Sequence, residues 1–299
     1  MAEAALTERA PVQIKRGYWR DVWLRLRRNR LATAGLAYVV LLVLVALFAP
    51  RVLDTDPIVQ DLEASKKPPS IQHLFGTDLY GRDIFARVVH GTRIALIVGS
   101  IATLVAIAIG VTLGGVAGFF GGWVDHLTIF FYSVVATFPG LLFILALTNA
   151  LPPAGEPRLS KVYLAIGLSS WVGMCRLTRN LFRSFREQEY VLAAQALGAG
   201  PLRIVFVHMV PNMMGFIVVA LAGGFAGAIA AEAGISFLGF GVTPPNPSWG
   251  VMVSEGRSYL QSCWWMIVCP GIATLLAVFS FNLLADGLRD AVDPRHETV

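Results

Sequence analysis

Ile94–Phe120 reads IALIVGSIATLVAIAIGVTLGGVAGFF, a stretch without one charged side chain. About 20 apolar residues in a helix cross the hydrocarbon core of a bilayer, so this segment alone calls for lipid as its solvent. Working outward, further apolar runs occupy Leu31–Ala49 (closed by Pro50), Val124 to about Leu151, Val162 to about Leu181, a fifth from near Ile204, and Trp264–Leu284. The run from Ile204 to Gly241 is too long for one crossing. A helix to about Ala231 is predicted there, then an outer segment interrupted by Gly234, Gly239, Gly241 and Pro244-Pro245. In the fourth run Arg176 and Arg179 are expected to snorkel toward an interface.

Composition agrees. The 299 residues are 56% hydrophobic and 14% charged, with mean hydropathy +0.64, whereas a soluble domain carries about 25% charge. A freely soluble globule and a disordered chain are both excluded. The expected fold is an all-α membrane protein with six transmembrane helices. Lys and Arg set its orientation: residues 1–30 hold eight of them, and with six crossings fifteen fall on the side of the termini against nine opposite. Both termini are therefore expected in the cytoplasm. Tyr18, Trp19 and Trp23 among the arginines read as an interfacial stretch against anionic lipid rather than a nucleic-acid arm.

Chemistry-bearing motifs are sparse. The five histidines lack metal-ligand spacing, Cys175, Cys263 and Cys269 form no C-x-x-C pair, and no P-loop, G-x-S-x-G or H-E-x-x-H occurs. The chain is thus not expected to be an enzyme. Ionisable residues are almost absent from mid-span, which disfavours an ion-coupled carrier. Asp125 begins the third helix, where an N-cap is the default; Glu232 closes the fifth and Asp286 ends the sixth. Gly110, Gly114, Gly118 and Gly122 recur every four residues in the second span. Ala220, Gly224 and Ala228, with Gly223, Gly227 and Ala231 beside them, repeat the device in the fifth. Such faces admit close backbone packing, either static or sliding.

Between the fourth and fifth spans lies Glu187-Gln-Glu-Tyr-Val-Leu-Ala-Ala-Gln-Ala-Leu-Gly198-Ala-Gly-Pro201. Glu187 and Glu189 suit a helix N-terminus, the alanines propagate it, and Gly198 or Gly200 with Pro201 stops it. A helix of about ten residues is predicted, able to dock into a groove on another protein. The plainer alternative is an ordinary connecting loop.

At these residues the chain resembles a known family. Tyr190-Val-Leu-Ala-Ala-Gln-Ala-Leu-Gly198, followed by Val210-Pro211-Asn212, is similar to the EAA loop of ABC importer permeases, E-A-A-x-x-x-G and then I-x-L-P. Ala193, Ala194 and Gly198 match; Leu192 replaces the usual Glu and Val210 the usual Leu. Phe75-Gly-Thr-Asp-Leu-Tyr-Gly-Arg-Asp83, with Arg87 and Gly91, resembles the FGTDxxGRDxxSR segment of the dipeptide/oligopeptide/nickel permease group, Ala86 replacing Ser. Glu232–Gly241 with Pro244–Gly250 looks like that group's outer segment. Phe281–Asp290 with Asp293-Pro294-Arg295 looks like its C-terminal signature, where the family has Gly in place of Ala285. The nearest type is the "C" permease of dipeptide importers.

The resemblance implies a type I importer permease for short peptides, or for nickel chelates, glutathione or another small solute. Its residues would divide into a basic interfacial segment 1–30, a first span 31–50, a periplasmic loop 51–92, a transmembrane core 93–289 and a cytoplasmic tail 290–299. The helix at about 187–200 would couple to the ATPases through Glu189, Tyr190, Val191, Leu192, Ala193, Ala194, Leu197, Gly198 and Pro201. Gly76, Thr77, Asp78, Gly81, Arg82, Asp83, Pro211, Glu232, Asn282 and Asp286 would be structural motif residues. Implied partners are a homologous second permease subunit, two ATP-binding subunits, an extracytoplasmic substrate-binding protein and the lipid bilayer of the bacterial inner membrane. ATP and Mg would sit on the ATPase subunits, and this chain would bind no cofactor.

Overall fold

The computed structural model describes residues 17–52, 56–151, 157–243 and 246–292. Among them every regular element is helical, and a lone bridge between Thr77 and Asp83 is the sole β-type pairing. The longer helices are α1 (Tyr18–Arg28), α2 (Arg30–Val52), α3 (Ile84–Phe120), α4 (Gly122–Thr137), α5 (Gly140–Ala150), α6 (Pro157–Arg186), α7 (Glu189–Ala196), α8 (Pro201–Phe237), α9 (Trp249–Gly256) and α10 (Trp265–Val292). Of these, α2, α3, α8 and α10 are long and apolar enough to cross a membrane, and α4–α5 is a fifth crossing if the bent pair counts as one. At 30 residues α6 has the length, but its serines and arginines make it less apolar than the others.

Several expected boundaries move. Helix α2 continues past Pro50 to Val52; a proline in the last turn forfeits one backbone hydrogen bond without breaking what precedes it. Helix α3 begins at Ile84 rather than Ile94, because Asp83 caps it: Ala86 N–H donates to Asp83 Oδ1 at 2.9 Å. Apolarity marks where lipid begins; the cap marks where the helix begins. The third expected span is broken, with α4 and α5 meeting at 96°. Pro139 biases Phe138 toward extended backbone, and Phe138 adopts φ −76°, ψ 136°.

The fifth span starts earlier, at Pro201, and runs through Ala231 and Gly234 to Phe237. It passes through a π-helical segment, Ile204–Met209, just before Pro211. Pro211 offers no N–H to the preceding turn and its ring crowds that turn's carbonyl, and a widened turn accommodates both. Asn212 Nδ2 donates to the His208 carbonyl at 2.6 Å. The stop comes at Gly239, whose φ of +86° suits glycine alone; Pro244-Pro245 lie outside the described residues. Helix α10 extends to Val292, so Asp286 lies inside it rather than at its end.

Glycine decides the tightest packing. A Cβ on Gly110 would stand 2.6 Å from Met174 Cβ, one on Gly114 would meet the Cys175 carbonyl, and one on Gly118 would stand 2.5 Å from the Arg179 carbonyl. Backbone therefore lies on backbone along the α3–α6 crossing. Gly122 is not part of this stripe: it opens α4 with φ +57° and nothing lies within 4 Å. On α8, Gly224 fits against Thr103, while Gly227 faces open space and a Cβ on Gly223 would stand 3.9 Å from Ala285 Cβ. The stripe on α3 is a fixed joint; that on α8 is partly unpartnered. Helix α10 packs on α8 through stacked Phe225 and Phe281 rings 4.9 Å apart, and on α2 where Gly35 abuts the Ser280 carbonyl.

Candidate functional site

The residues singled out in the sequence fall at opposite ends of α3. Beyond its C-terminal end, α7 is an eight-residue helix between α6 and α8, slightly shorter than expected. Val191 (fully buried) and Ala194, three residues apart on one face, seat it on Phe182, Ile204, Met209 and Met213. Its stop is a Schellman turn: Gly198 has φ +80°, Gly198 N–H donates to the Gln195 carbonyl at 2.9 Å and Ala199 N–H to the Ala194 carbonyl at 3.0 Å. Pro201 then opens α8. Glu189, Leu192, Ala193, Gly198 and Pro201 are exposed, and Leu197 projects with 88% of its surface free. With Leu202, Phe206 and Val207 they form an apolar, weakly charged surface. Tyr190 is held at the edge; burial pushes its phenol above the ordinary range, opposed by a hydrogen bond with the Asn212 side chain.

Nearby, Pro211 and Asn212 follow the π-helical segment of α8, while Asn282 and Asp286 lie on the exposed face of α10. Asn212, Asn282, Asp286 and Arg289 line a cleft of about 980 Å³ between α8 and α10, floored by Gly215 and reached by Tyr18 of α1.

At the opposite end, the 75–83 motif builds a buried charge cluster. Asp78 Oδ2 accepts from Arg82 Nε at 2.6 Å and from Arg87 Nη1 at 2.5 Å, and its Oδ1 accepts from the Tyr80 and Arg82 amides. Glu255 of α9 completes it: its Oε2 accepts from Arg87 Nη1 at 2.8 Å and Arg82 Nη2 at 3.1 Å. Two arginines and two carboxylates thus neutralise one another, Asp78, Arg82 and Arg87 buried and Glu255 with 20% of its side chain exposed; pairing is the condition under which buried charge is tolerated. Around them Thr77 donates to the Ala64 carbonyl and accepts from Lys67 N–H. Trp265 Nε1 donates to the Thr77 carbonyl at 3.1 Å. Gly76 (φ +74°) leaves no room for a Cβ beside Trp265, and Gly81 (φ +71°) none beside the Asp61 backbone. Besides capping α3, Asp83 pairs with His73 Nδ1 at 2.8 Å.

Glu232 joins a second polar knot close by. Buried at 2% exposure, its Oε1 accepts from Ser236 Oγ at 2.7 Å and Ser248 Oγ at 2.6 Å. The chain after α8 is thereby folded back, Val242 N–H donating to Ser236 Oγ at 3.1 Å. Trp249 Nε1 then reaches the Val88 carbonyl of α3 at 2.9 Å. Glu232 thus closes a loop through two hydroxyl donors.

Sequence reasoning missed Glu255, a lone acid with no local spacing to announce its arginines, and the Asp125 pairing. Asp125 is not an N-cap; that position is Gly121. Its carboxylate instead takes the Arg179 guanidinium in a two-pronged pair, Nη2 to Oδ2 at 2.6 Å and Nε to Oδ1. Arg176 lies over the Tyr132 ring, 4.8 Å from its centroid. Both arginines thus tie α6 to α4.

Comparison with known families places this architecture. Residues 110–298 match the model described as "Binding-protein-dependent transport system inner membrane component", and residues 17–69 match "N-terminal TM domain of oligopeptide transport permease C". The chain is 38% identical over 277 residues to the dipeptide transport system permease protein DppC of Alkalihalophilus pseudofirmus, covering 93% of this chain and 90% of that one. Identity to the oligopeptide transport system permease protein OppC of Bacillus subtilis is 40%, with the same coverage. To the di/tripeptide transport system permease protein DppC of Pseudomonas aeruginosa it is 36%, over 92% of each chain. With its apolar spans and this match over more than half its length, the chain belongs to the family of binding-protein-dependent transport system inner membrane components, the membrane permeases of ABC transporters rather than their catalytic subunits.

Proposed function

We propose that the chain is one of two related membrane subunits of an ATP-driven importer of short peptides in the bacterial inner membrane. In this reading it crosses six times, with α4–α5 as one bent crossing and α6 as another, and both termini face the cytoplasm. Helix α7 docks into a cytoplasmic ATPase subunit, a second permease completes the pathway, and an extracytoplasmic binding protein delivers the cargo. ATP and Mg stay on the two ATPase subunits; no cofactor and no nucleic acid is held here. The observation that carries the reading is α7 itself. It is a rigid rod, seated by Val191 and Ala194 between two long helices, with Leu192 and Leu197 left outward. The peptide cargo rests on the relatives, which are named as dipeptide, oligopeptide and di/tripeptide permeases.

The test is uptake of labelled di- and tripeptides by the four-component complex in proteoliposomes, with the binding protein outside. ATP-dependent peptide uptake is expected. Competition by a nickel chelate or glutathione in place of peptide would reassign the cargo, and uptake by the single chain under an ion gradient would overturn the reading.

Three substitutions at two positions probe α7. In Gly198→Trp, strain at φ +80° adds about 1–2 kcal/mol, and an indole then occupies the docking surface. Peptide uptake is expected to fall at least about tenfold, the scale of a 1–3 kcal/mol coupling energy, while the subunit still reaches the membrane. Gly198→Ala carries the strain without the bulk and isolates that part. Leu192→Glu, at a docking-surface position 51% free, is expected to leave uptake within about twofold, because the EAA-loop pattern itself carries Glu there and a change of about 0.5 kcal/mol or less is all that is then expected.

A further inference from the structure

Helix α4 is held differently from its neighbours. None of its residues is buried, and Trp123, Phe130 and Phe131 expose between 55% and 74% of their surface. It is flanked by two places where the chain turns. At one end Gly121 and Gly122 have φ of +67° and +57°, with nothing within 4 Å of a Cβ on Gly122. At the other end is the 96° break at Phe138-Pro139. The polar and cation–ring contacts that hold this strut come from one stretch of α6, while α3 supplies apolar neighbours through Ala106 and Ile109. Arg179 forks onto Asp125, Arg176 covers Tyr132, and Tyr132 and Val135 lie against Trp171 and Cys175, with Ala106 of α3 completing the seat.

The same α6 is locked to α3 by Gly110, Gly114 and Gly118, and runs into α7 after Glu187 and Gln188. Helices α3, α6 and α7 therefore form one stiff block, and α4 is an arm pinned to it between two bends. We propose that the Asp125–Arg179 pair is the latch that makes α4 follow α6, so that motion of α7 is passed to the bent α4–α5 crossing. Both are positioning residues: they act through α4 and need not touch cargo. This rests on the reading of α7 as the contact for the ATPases. The fork geometry suits the task because two parallel charge-assisted bonds fix orientation as well as distance. At 14% and 15% side-chain exposure the pair is only partly screened by solvent.

The experiment uses the full complex with its ATPases and binding protein. Asp125→Asn and Arg179→Gln are expected to raise the ATP hydrolysed per peptide imported about tenfold, within the range of ordinary coupling energies. Binding-protein-stimulated hydrolysis is expected to stay within about twofold of wild type. A merely structural role would lower uptake and hydrolysis together, and that outcome, or an unchanged ratio, overturns the proposal. Should Asp125→Asn not assemble, Asp125→Glu keeps the charge while displacing the arm by one methylene, and the same ratio is read. Hydrogen exchange on the same complex needs no cargo. Amides of 122–137 are expected to exchange faster in the variants while those of α6 do not, and equal protection overturns the latch. If the variants show the exchange difference from wild type yet the wild-type complex imports no peptide, the importer reading fails and the latch stands.

Discussion

Gly114→Leu is expected to destabilise the folded chain by at least about 3 kcal/mol, at the upper end of what overpacking costs. The site forces this because the new side chain meets backbone: its Cβ would fall on the Cys175 carbonyl, with Thr178 Cβ at 2.9 Å and Arg179 N at 3.1 Å. Neither helix can retreat locally, since Gly110 and Gly118 hold the same crossing one turn away on either side. The whole α3–α6 joint must open, taking with it the seat of α7. Thermal unfolding of the detergent-solubilised complex should show a lowered midpoint and reduced copurification of partner subunits. Gly227→Ala on α8 is the matched control. It sits in a similar small-residue pattern but faces nothing within 4 Å, and should be neutral or stabilising by up to about 1 kcal/mol through helix propensity. Equal effects at the two sites would show that spacing, not backbone contact, governs both.

Arg87→Met is expected to cost about 3–5 kcal/mol, the usual consequence of removing one partner from a buried ion cluster. Arg87 is 1% exposed and its Nη1 serves both Asp78 and Glu255. Without it, two carboxylates share the single cation of Arg82. The segment from Asp61 to Asp83 should detach from α9, visible as accelerated amide exchange there while α3 beyond Thr92 stays protected. Restoring the charge balance should recover part of the loss. The double variant Asp78→Asn/Arg87→Met is expected to be less unstable than the sum of its single changes by about 1–2 kcal/mol, within the coupling seen between touching residues. Strict additivity would mean that the cluster does not act as a unit.

The glycine joint and the arginine cluster differ in how far the sequence announces them. The glycine stripe of α3 could be seen at a spacing of four residues, and three of its four members do make the close approach. The fourth, Gly122, has the right spacing but lies past the helix end. The Arg87 cluster could be seen only in half. Asp78, Arg82 and Arg87 stand together in one motif, whereas Glu255 is 168 residues from Arg87 and nothing near it marks it as their counter-ion. Likewise the 54-residue separation of Asp125 and Arg179 left Asp125 with a local explanation, a cap, that the fold replaced, and Arg179 with no named partner.

From the sequence alone came the membrane as solvent, the all-helical class, most of the long apolar helices and the short helix stopped by Gly198 or Gly200, of which the fold uses Gly198. Each depends on interactions within about one or two turns of chain, such as apolar burial along a run, a cap or a left-handed glycine. Tertiary structure alone decided that α8 passes through Gly234, that α4 and α5 meet at a sharp angle, and which charges neutralise which. Glycine is tolerated in a helix once neighbouring helices supply packing, and a proline bend persists only where the surroundings hold its two arms. A buried ion likewise takes whichever partner the folded chain brings to it. Those energies belong to contacts between segments remote along the chain, so no window of residues contains them.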